Sequence, residues 1–212
     1  MAIVDIDERQ VTFKLVYCGP PLAGKTTNLT KLYEIVHAGN RGRLMTLEGE
    51  GERTIFFDLL PLFFQVSGLS VRIKVYTVPG QAAHQMTRRA VLRGADGVVF
   101  VADSGAALAA QNQHAYRELT DNLALQGALE HVAVITQFNK RDIEAPVAMK
   151  AFASEPVEAA IAEAGEGVLP TFLRLVEATW AVSEQENGLR EHFGVSQREF
   201  AEALARHLGP AS

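Results

Sequence analysis

With 212 residues and 23.1 kDa, the chain is long enough for one well-buried domain and leaves little for a second. Apolar residues at 48% against charged residues at 21% exclude a disordered chain. A net charge of -5, a pI near 5.7 and no cluster of Lys and Arg exclude the electrostatic footprint of a nucleic-acid binder.

The chain opens on Met1-Ala2-Ile3-Val4-Asp5, which has neither the pattern of a secretory signal nor a glycine at position 2 for a myristoyl group. Residues 11–17 are a short apolar run ending in glycine and prolines, and residues 26–37 have helical character, which together predict strand, loop and helix. Cys18 is the single cysteine, so no intrachain disulfide forms, as in a reducing compartment. It reads as a small buried strand residue, with redox sensitivity as the sharper alternative. Residues 55–64 carry Phe56, Phe57, Phe63, Phe64 and several leucines, broken only by Asp58 and Pro61. This run is either a buried strand or a surface that a shifting strand uncovers for a partner.

Further on, Val71, Ile73 and Val75 alternate with Arg72, Lys74 and Tyr76, the period of a strand whose two faces are covered differently. Residues 97–102 and 132–138 are almost wholly apolar, as strands buried on both faces of a parallel sheet are. Leu108, Asn112, Ala115, Tyr116, Leu119 and Leu123 fall between them at helical spacing. Leu169, Phe172, Leu173, Val176 and Trp180 mark another amphipathic helix, with Pro170 in the first turn, where proline is tolerated.

Ser196-Gln197-Arg198-Glu199 is a capping box, and Phe200, Ala203, Leu204, His207 and Leu208 follow on one helical face. An added amphipathic helix is expected there, either packed on the domain or docking a partner. The C-terminus Gly209-Pro210-Ala211-Ser212 has no cysteine to prenylate, and the longest apolar stretch, 98–102, is far short of the roughly 20 residues of a membrane span. The expected address is the cytoplasm, without a transmembrane segment or lipid anchor. The alternation of elements predicts an α/β fold, a doubly wound, mostly parallel sheet with helices on both faces. Residues 1–184 form the domain, and 185–212 a C-terminal helical extension.

Ligands of such sheets bind at the carboxyl ends of the strands, and the segment Gly19-Pro20-Pro21-Leu22-Ala23-Gly24-Lys25-Thr26 sits at one. It fits the P-loop pattern, in which backbone N–H groups and a helix N-terminus face bound phosphates. Gly24 permits close approach, Lys25 reaches the β and γ phosphates, and the Thr26 hydroxyl can ligate Mg2+. Asn139-Lys140-Arg141-Asp142 directly follows an apolar strand, where a base-reading loop belongs. Guanine presents two N–H donors on one edge, both of which the Asp142 carboxylate can accept. Against adenine a buried Asp142 would stay unpaired, the kind of mismatch that rejects a ligand by about 10⁴-fold or more. Asn139 can hydrogen-bond the ring and brace the P-loop, and the Lys140 stem can lie along the base. A polar turn would account equally well for the tetrapeptide taken alone.

These strings, with Thr27-Asn28-Leu29, Arg53-Thr54-Ile55-Phe56-Phe57-Asp58, Thr77-Val78-Pro79-Gly80-Gln81 and Val98-Val99-Phe100-Val101-Ala102-Asp103-Ser104, resemble the Ras-like small GTPases. Over roughly residues 10–182 the chain is most similar to the bacterial MglA group, which controls cell polarity and gliding. The resemblance implies a Ras-like P-loop G domain that binds GTP or GDP with Mg2+. Gly19, Leu22, Ala23, Gly24, Lys25, Thr26 and Thr27 are then the phosphate-loop contacts, and Asn139, Lys140, Asp142 and the Ala162 backbone the base contacts. Thr54 is implied to close on Mg2+ and the γ-phosphate, making Thr26 and Thr54 the metal ligands. Gly80 is implied to contact the γ-phosphate, and Gln81 to orient the attacking water.

Arg53 is either a solvated loop arginine among Glu48, Glu50 and Glu52 or, as the resemblance implies, an arginine finger supplied by the chain itself, a role worth about 10³ to 10⁵ in rate. Thr77 stands where most Ras-like proteins have an aspartate that holds Mg2+ through water, and threonine there is characteristic of the MglA group. Pro21 stands where glycine is usual; it removes an N–H and crowds the water and Gln81, so slow intrinsic hydrolysis is expected. The implied partner is a dimeric, MglB-like regulator of the roadblock fold. A GTP-dependent binding scaffold with negligible turnover is the alternative, kept open by Pro21 and Thr77.

Overall fold

The fold is that of a computed structural model, which describes residues 2–49, 55–78, 85–149 and 156–209. Its strands are β1 (Ile3–Asp5), β2 (Gln10–Cys18), β3 (Met45–Gly49), β4 (Ile55–Val66), β5 (Leu69–Thr77), β6 (Gly97–Asp103), β7 (Ala133–Asn139) and β8 (Val157–Ala159). They form one sheet in the order β3-β4-β5-β2-β6-β7-β8, with β1 beside β2. Pairing is parallel from β5 through β2, β6 and β7 to β8, and antiparallel for β3 with β4 and β4 with β5. The helices are α1 (Lys25–Ile35), α2 (Gln85–Leu92), α3 (Ala109–Leu125), α4 (Val168–Asn187), α5 (Leu189–Phe193) and α6 (Gln197–Leu208). None of the described helices is long and apolar enough to cross a membrane.

β2 is the axis of the sheet because almost every one of its side chains is wanted on one face or the other. Phe13, Leu15 and Tyr17 join the core beneath α1, α4 and α6, and Val16 and Cys18 join the one beneath α2 and α3. β6 pairs with β2 only from Leu15 onward, and the short β1 folds back antiparallel over Gln10 to Thr12, so both halves of β2 are paired on that side. β6, Gly-Val-Val-Phe-Val-Ala-Asp, is buried throughout, as expected of a central parallel strand. Gly97 at its start is required by close packing. A Cβ there would lie 2.3 Å from Thr179 Oγ1 and 2.9 Å from Leu15 Cδ2, so α4 could not settle onto the sheet.

β4 and β5 are joined by Ser67 and Gly68, both with positive φ, the two-residue turn whose twist suits a hairpin. The aromatic run of β4 divides by alternation. Leu60, Leu62, Phe64 and Val66 are buried under the helices, whereas Phe63 is 41% exposed and Phe57 is half-buried against Tyr76. The core reading therefore holds for one face of the run, and the other face is partly exposed. Pro61 is tolerated because β3 stops pairing at Leu59 and the neighbouring Gly42 N–H donates to the Pro61 carbonyl.

The expected boundary at residue 184 falls inside α4, which continues to Asn187 and turns at Gly188, φ +60°. The extension is packed into the main core. Leu189, Phe193, Val195, Phe200, Leu204 and Leu208 are all buried there. Phe200 stacks on Trp180 with centroids 4.0 Å apart and lies 5.6 Å from Phe64, so α6 covers β4 and α4 and is held by its own domain. The Arg9 guanidinium donates to the Phe193 carbonyl at 3.0 Å and to the Ser67 and Gly68 carbonyls at 3.4 Å, tying α5 to two strand turns.

Candidate functional site

The P-loop leaves the end of β2 and enters α1, and its two outer glycines are fixed by what surrounds them. Gly19 has φ +139°, and a Cβ there would lie 2.1 Å from the Val101 carbonyl oxygen of β6. Gly24 has φ +98°, and a Cβ there would lie 2.2 Å from Asn139 Nδ2. Neither position admits a side chain. Gly24 is also the helix N-cap and brings no side chain to the first-turn amides of α1, which favours an anion there. Leu22, φ +61°, is 87% exposed at the crest of the loop.

Lys25 is buried, and its ammonium donates to the Gly19 and Pro20 carbonyls at 3.1 and 2.6 Å. Burial lowers its pKa to about 8; of the nearby groups, Cys18 opposes the shift and Arg88 adds to it. Cys18 itself is buried beneath the loop, and burial pushes its thiol up to about 12, in keeping with a packed and unreactive side chain.

Beside the P-loop lies a cavity of about 260 Å3, lined on one side by Leu22, Gly24 and Thr27 and on the other by Asn139, Lys140, Asp142 and Ile143, with Ile161, Ala162 and Glu163 closing it. Asn139 holds these walls together. Its Nδ2 donates to the Ala23 carbonyl at 2.8 Å, and its Oδ1 accepts from the Ala162 N–H at 2.8 Å. The expected brace between P-loop and base loop is thus present. The Ala162 amide, expected to face the base, is already engaged by Asn139 and fixes the loop as much as it offers a donor.

Lys140 takes a left-handed backbone, φ +62°, and its ammonium pairs with Asp103 at 2.5 Å, which anchors the base loop to the end of β6. Arg141 donates to the Val147 carbonyl at 2.7 Å and so faces away from the cavity. Asp142 is exposed on the cavity wall rather than buried. Its power to reject a base lacking two N–H donors therefore depends on the ligand itself excluding water from the carboxylate.

Thr26 points to the other side of the loop. Its hydroxyl donates to Asp58 Oδ2 at 2.8 Å, and the Thr77 hydroxyl donates to the same oxygen at 2.9 Å. An oxygen-rich corner of one carboxylate and several hydroxyls is the donor chemistry that a hard divalent cation takes, so the residues present fit Mg2+. Arg53, Thr54, Gly80 and Gln81 lie outside the described residues.

Sequence reasoning missed two sets of residues. Asp58 is one, and its signal was that of a lone charge inside the apolar run 55–64. The other is a buried network under the P-loop, in which Gln137 Nε2 donates to Asn28 Oδ1 and Thr171 Oγ1, each at 3.0 Å, and Asn28 Nδ2 donates to the Gly24 carbonyl at 2.9 Å. A glutamine within a largely apolar strand is the trace it leaves in the sequence.

No protein-family model matches the chain. Among curated proteins, the chain is similar to the mutual gliding-motility protein MglA of Myxococcus xanthus (strain DK1622). The two are 38% identical over 179 residues, which cover 81% of this chain and 92% of that protein.

Proposed function

The chain belongs to the MglA family of small GTPases, and from that premise we propose that it is a molecular switch that binds GTP and GDP with Mg2+ and hydrolyses GTP slowly alone and faster with a regulator. The observation that supports this reading best is the pair of hydrogen bonds made by Asn139, which joins the P-loop to the far wall of the cavity beside it, as a single seat for a guanine nucleotide requires.

In hydrolysis a water attacks the γ-phosphoryl group and the bond to the β-phosphate oxygen breaks, so charge shifts toward that oxygen. Lys25 and the first-turn amides of α1 are the donors that the P-loop offers to a phosphate chain, and they would stabilise that charge. Bound Mg2+ supplies further neutralisation of the phosphate oxygens, with Thr26 and Thr54 as the residues that would hold it. Gln81 orients the water, Arg53 reaches the transferring phosphate, and Gly80 meets it through its amide. Pro21 keeps the unaided rate low by crowding this space.

The regulator fitting a member of this family is a dimeric roadblock-fold, MglB-like protein. The relative's name places that protein in gliding motility, and we extend cell polarity or motility to this chain, acting in the cytoplasm with recruitment to a pole through partners.

The test is GTP turnover with Mg2+, with and without a purified roadblock-fold protein. Unaided turnover far below about one per second is expected, with clear stimulation by the regulator. Arg53→Ala should retain nucleotide and lose most of the stimulated rate. An unchanged stimulated rate removes Arg53 from the chemistry, and nucleotide binding without turnover under either condition turns the reading into that of a GTP-dependent scaffold.

A further inference from the structure

β5 ends at Thr77, where the resemblance leads one to look for an aspartate, and a carboxylate is nevertheless present at the same corner, carried by the neighbouring strand. We propose that Asp58 of β4 is the positioning carboxylate of the Mg2+ site: it accepts the hydrogen bond of the Thr26 hydroxyl and so turns that oxygen's lone pairs toward the cation. The inference rests on the nucleotide reading above.

A threonine hydroxyl has one proton and two lone pairs. While its proton is free to rotate, the oxygen is a poorly oriented ligand. Thr26 is exposed at the first turn of α1, and its hydroxyl donates to Asp58 Oδ2 at 2.8 Å, which fixes the rotor and leaves the lone pairs unspent. The acceptor is charged, so it also makes the hydroxyl oxygen a stronger donor to a cation, as outer partners of metal ligands generally do.

The carboxylate is itself held from three directions. Thr77 Oγ1 donates to Oδ2 at 2.9 Å and accepts from the Asp58 N–H at 3.0 Å, a closed loop that fixes the Asp58 side chain relative to its own backbone. Thr46, opposite Asp58 on β3, donates its hydroxyl to Oδ1 at 2.9 Å. Thr77 therefore orients the carboxylate it does not itself provide. The lone charge in the run 55–64 is explained in the same way, since a carboxylate with three hydroxyl donors and a cation beside it is no longer a solitary charge in an apolar strand.

The experiment loads the full-length protein with fluorescent N-methylanthraniloyl-GDP and measures its release across a Mg2+ titration, each variant normalised to its own release in EDTA. Asp58→Asn is expected to raise the half-effective Mg2+ concentration about tenfold or more. Thr77→Asp added to Asp58→Asn is expected to bring it back toward the parent value, which a merely structural role for Asp58 would not do. An unchanged midpoint overturns the proposal, and so does a lower one, which would mean that the carboxylate competes with the cation for Thr26. Thermal unfolding without Mg2+ checks the fold. If Asp58→Asn does not fold, Asp58→Glu keeps the charge and displaces it by one methylene, and an unshifted midpoint in that variant overturns the proposal equally. A parent protein that binds no GDP at any Mg2+ concentration refutes the nucleotide reading instead.

Discussion

Lys25 is a cation held where little water reaches, with two carbonyls as its partners. Its folded pKa of about 8 lies below the ordinary lysine value of 10.5, so between those values the unfolded chain binds more protons than the folded one. The stability of the empty protein therefore rises with pH across that window, and the cost of burying the charge is fully present below pH 8. A phosphate beside the ammonium reverses this by favouring the charged form, so binding of GDP near pH 8.5 should draw a proton from solution. Titration calorimetry in EDTA, in buffers of different ionisation enthalpy, reads that proton directly, and Lys25→Met should abolish the uptake. If the parent protein takes up no proton, the ammonium is not the partner of the phosphate. Lys25 was legible in the sequence because the P-loop is one contiguous string whose chemistry is local. Asp58 was not, because its donors Thr26, Thr46 and Thr77 come from α1, β3 and β5 and meet only in the folded chain.

Among the elements, α6 shows how local signals and tertiary packing divide the information. Its start was readable from Ser196 and Glu199, and both halves of the capping box are formed: Ser196 Oγ accepts from the Glu199 N–H at 3.2 Å, and the Glu199 carboxylate accepts from the Ser196 N–H at 2.8 Å. The Ser196 hydroxyl, which donates to the Glu199 carboxylate at 2.6 Å, and the Ser196 N–H hold the Glu199 carboxyl below the usual glutamate range, so their contribution is present above the ordinary glutamate pKa and fades as the pH falls through the lowered value. Where α6 packs was not readable, since Phe200 finds Trp180 and Phe64 across long stretches of chain. The two features differ in weight. Phe200→Ala should cost about 3–5 kcal/mol in thermal or denaturant unfolding, whereas Ser196→Ala should cost about 1 kcal/mol. The reverse ranking would mean that α6 is held by its cap and not by its aromatic face. The short strands β1, β3 and β8 escaped the sequence for the same reason as Phe200's partners, because three to five residues carry no periodicity and their pairing is decided by distant strands.

For the molecule as a whole, the extension and the sheet share one core, and Arg9 bonds α5 to the β4–β5 turn. Unfolding should then be a single transition, and the chain carries its own reporter. Trp180 is the only tryptophan, wedged edge-on to Phe13 of β2 and stacked on Phe200 of α6. Its fluorescence and the far-ultraviolet circular dichroism should change at the same denaturant concentration. A fluorescence change that precedes the loss of helix signal would show that α6 detaches first, as a separate unit. The order of synthesis adds a consequence. The ribosome releases β2, β4 and α4 before α6, so the nascent chain completes its sheet while the surface around Phe64 and Trp180 still faces water. Until α6 clears the exit tunnel, that aromatic surface is open to chaperones and to neighbouring nascent chains.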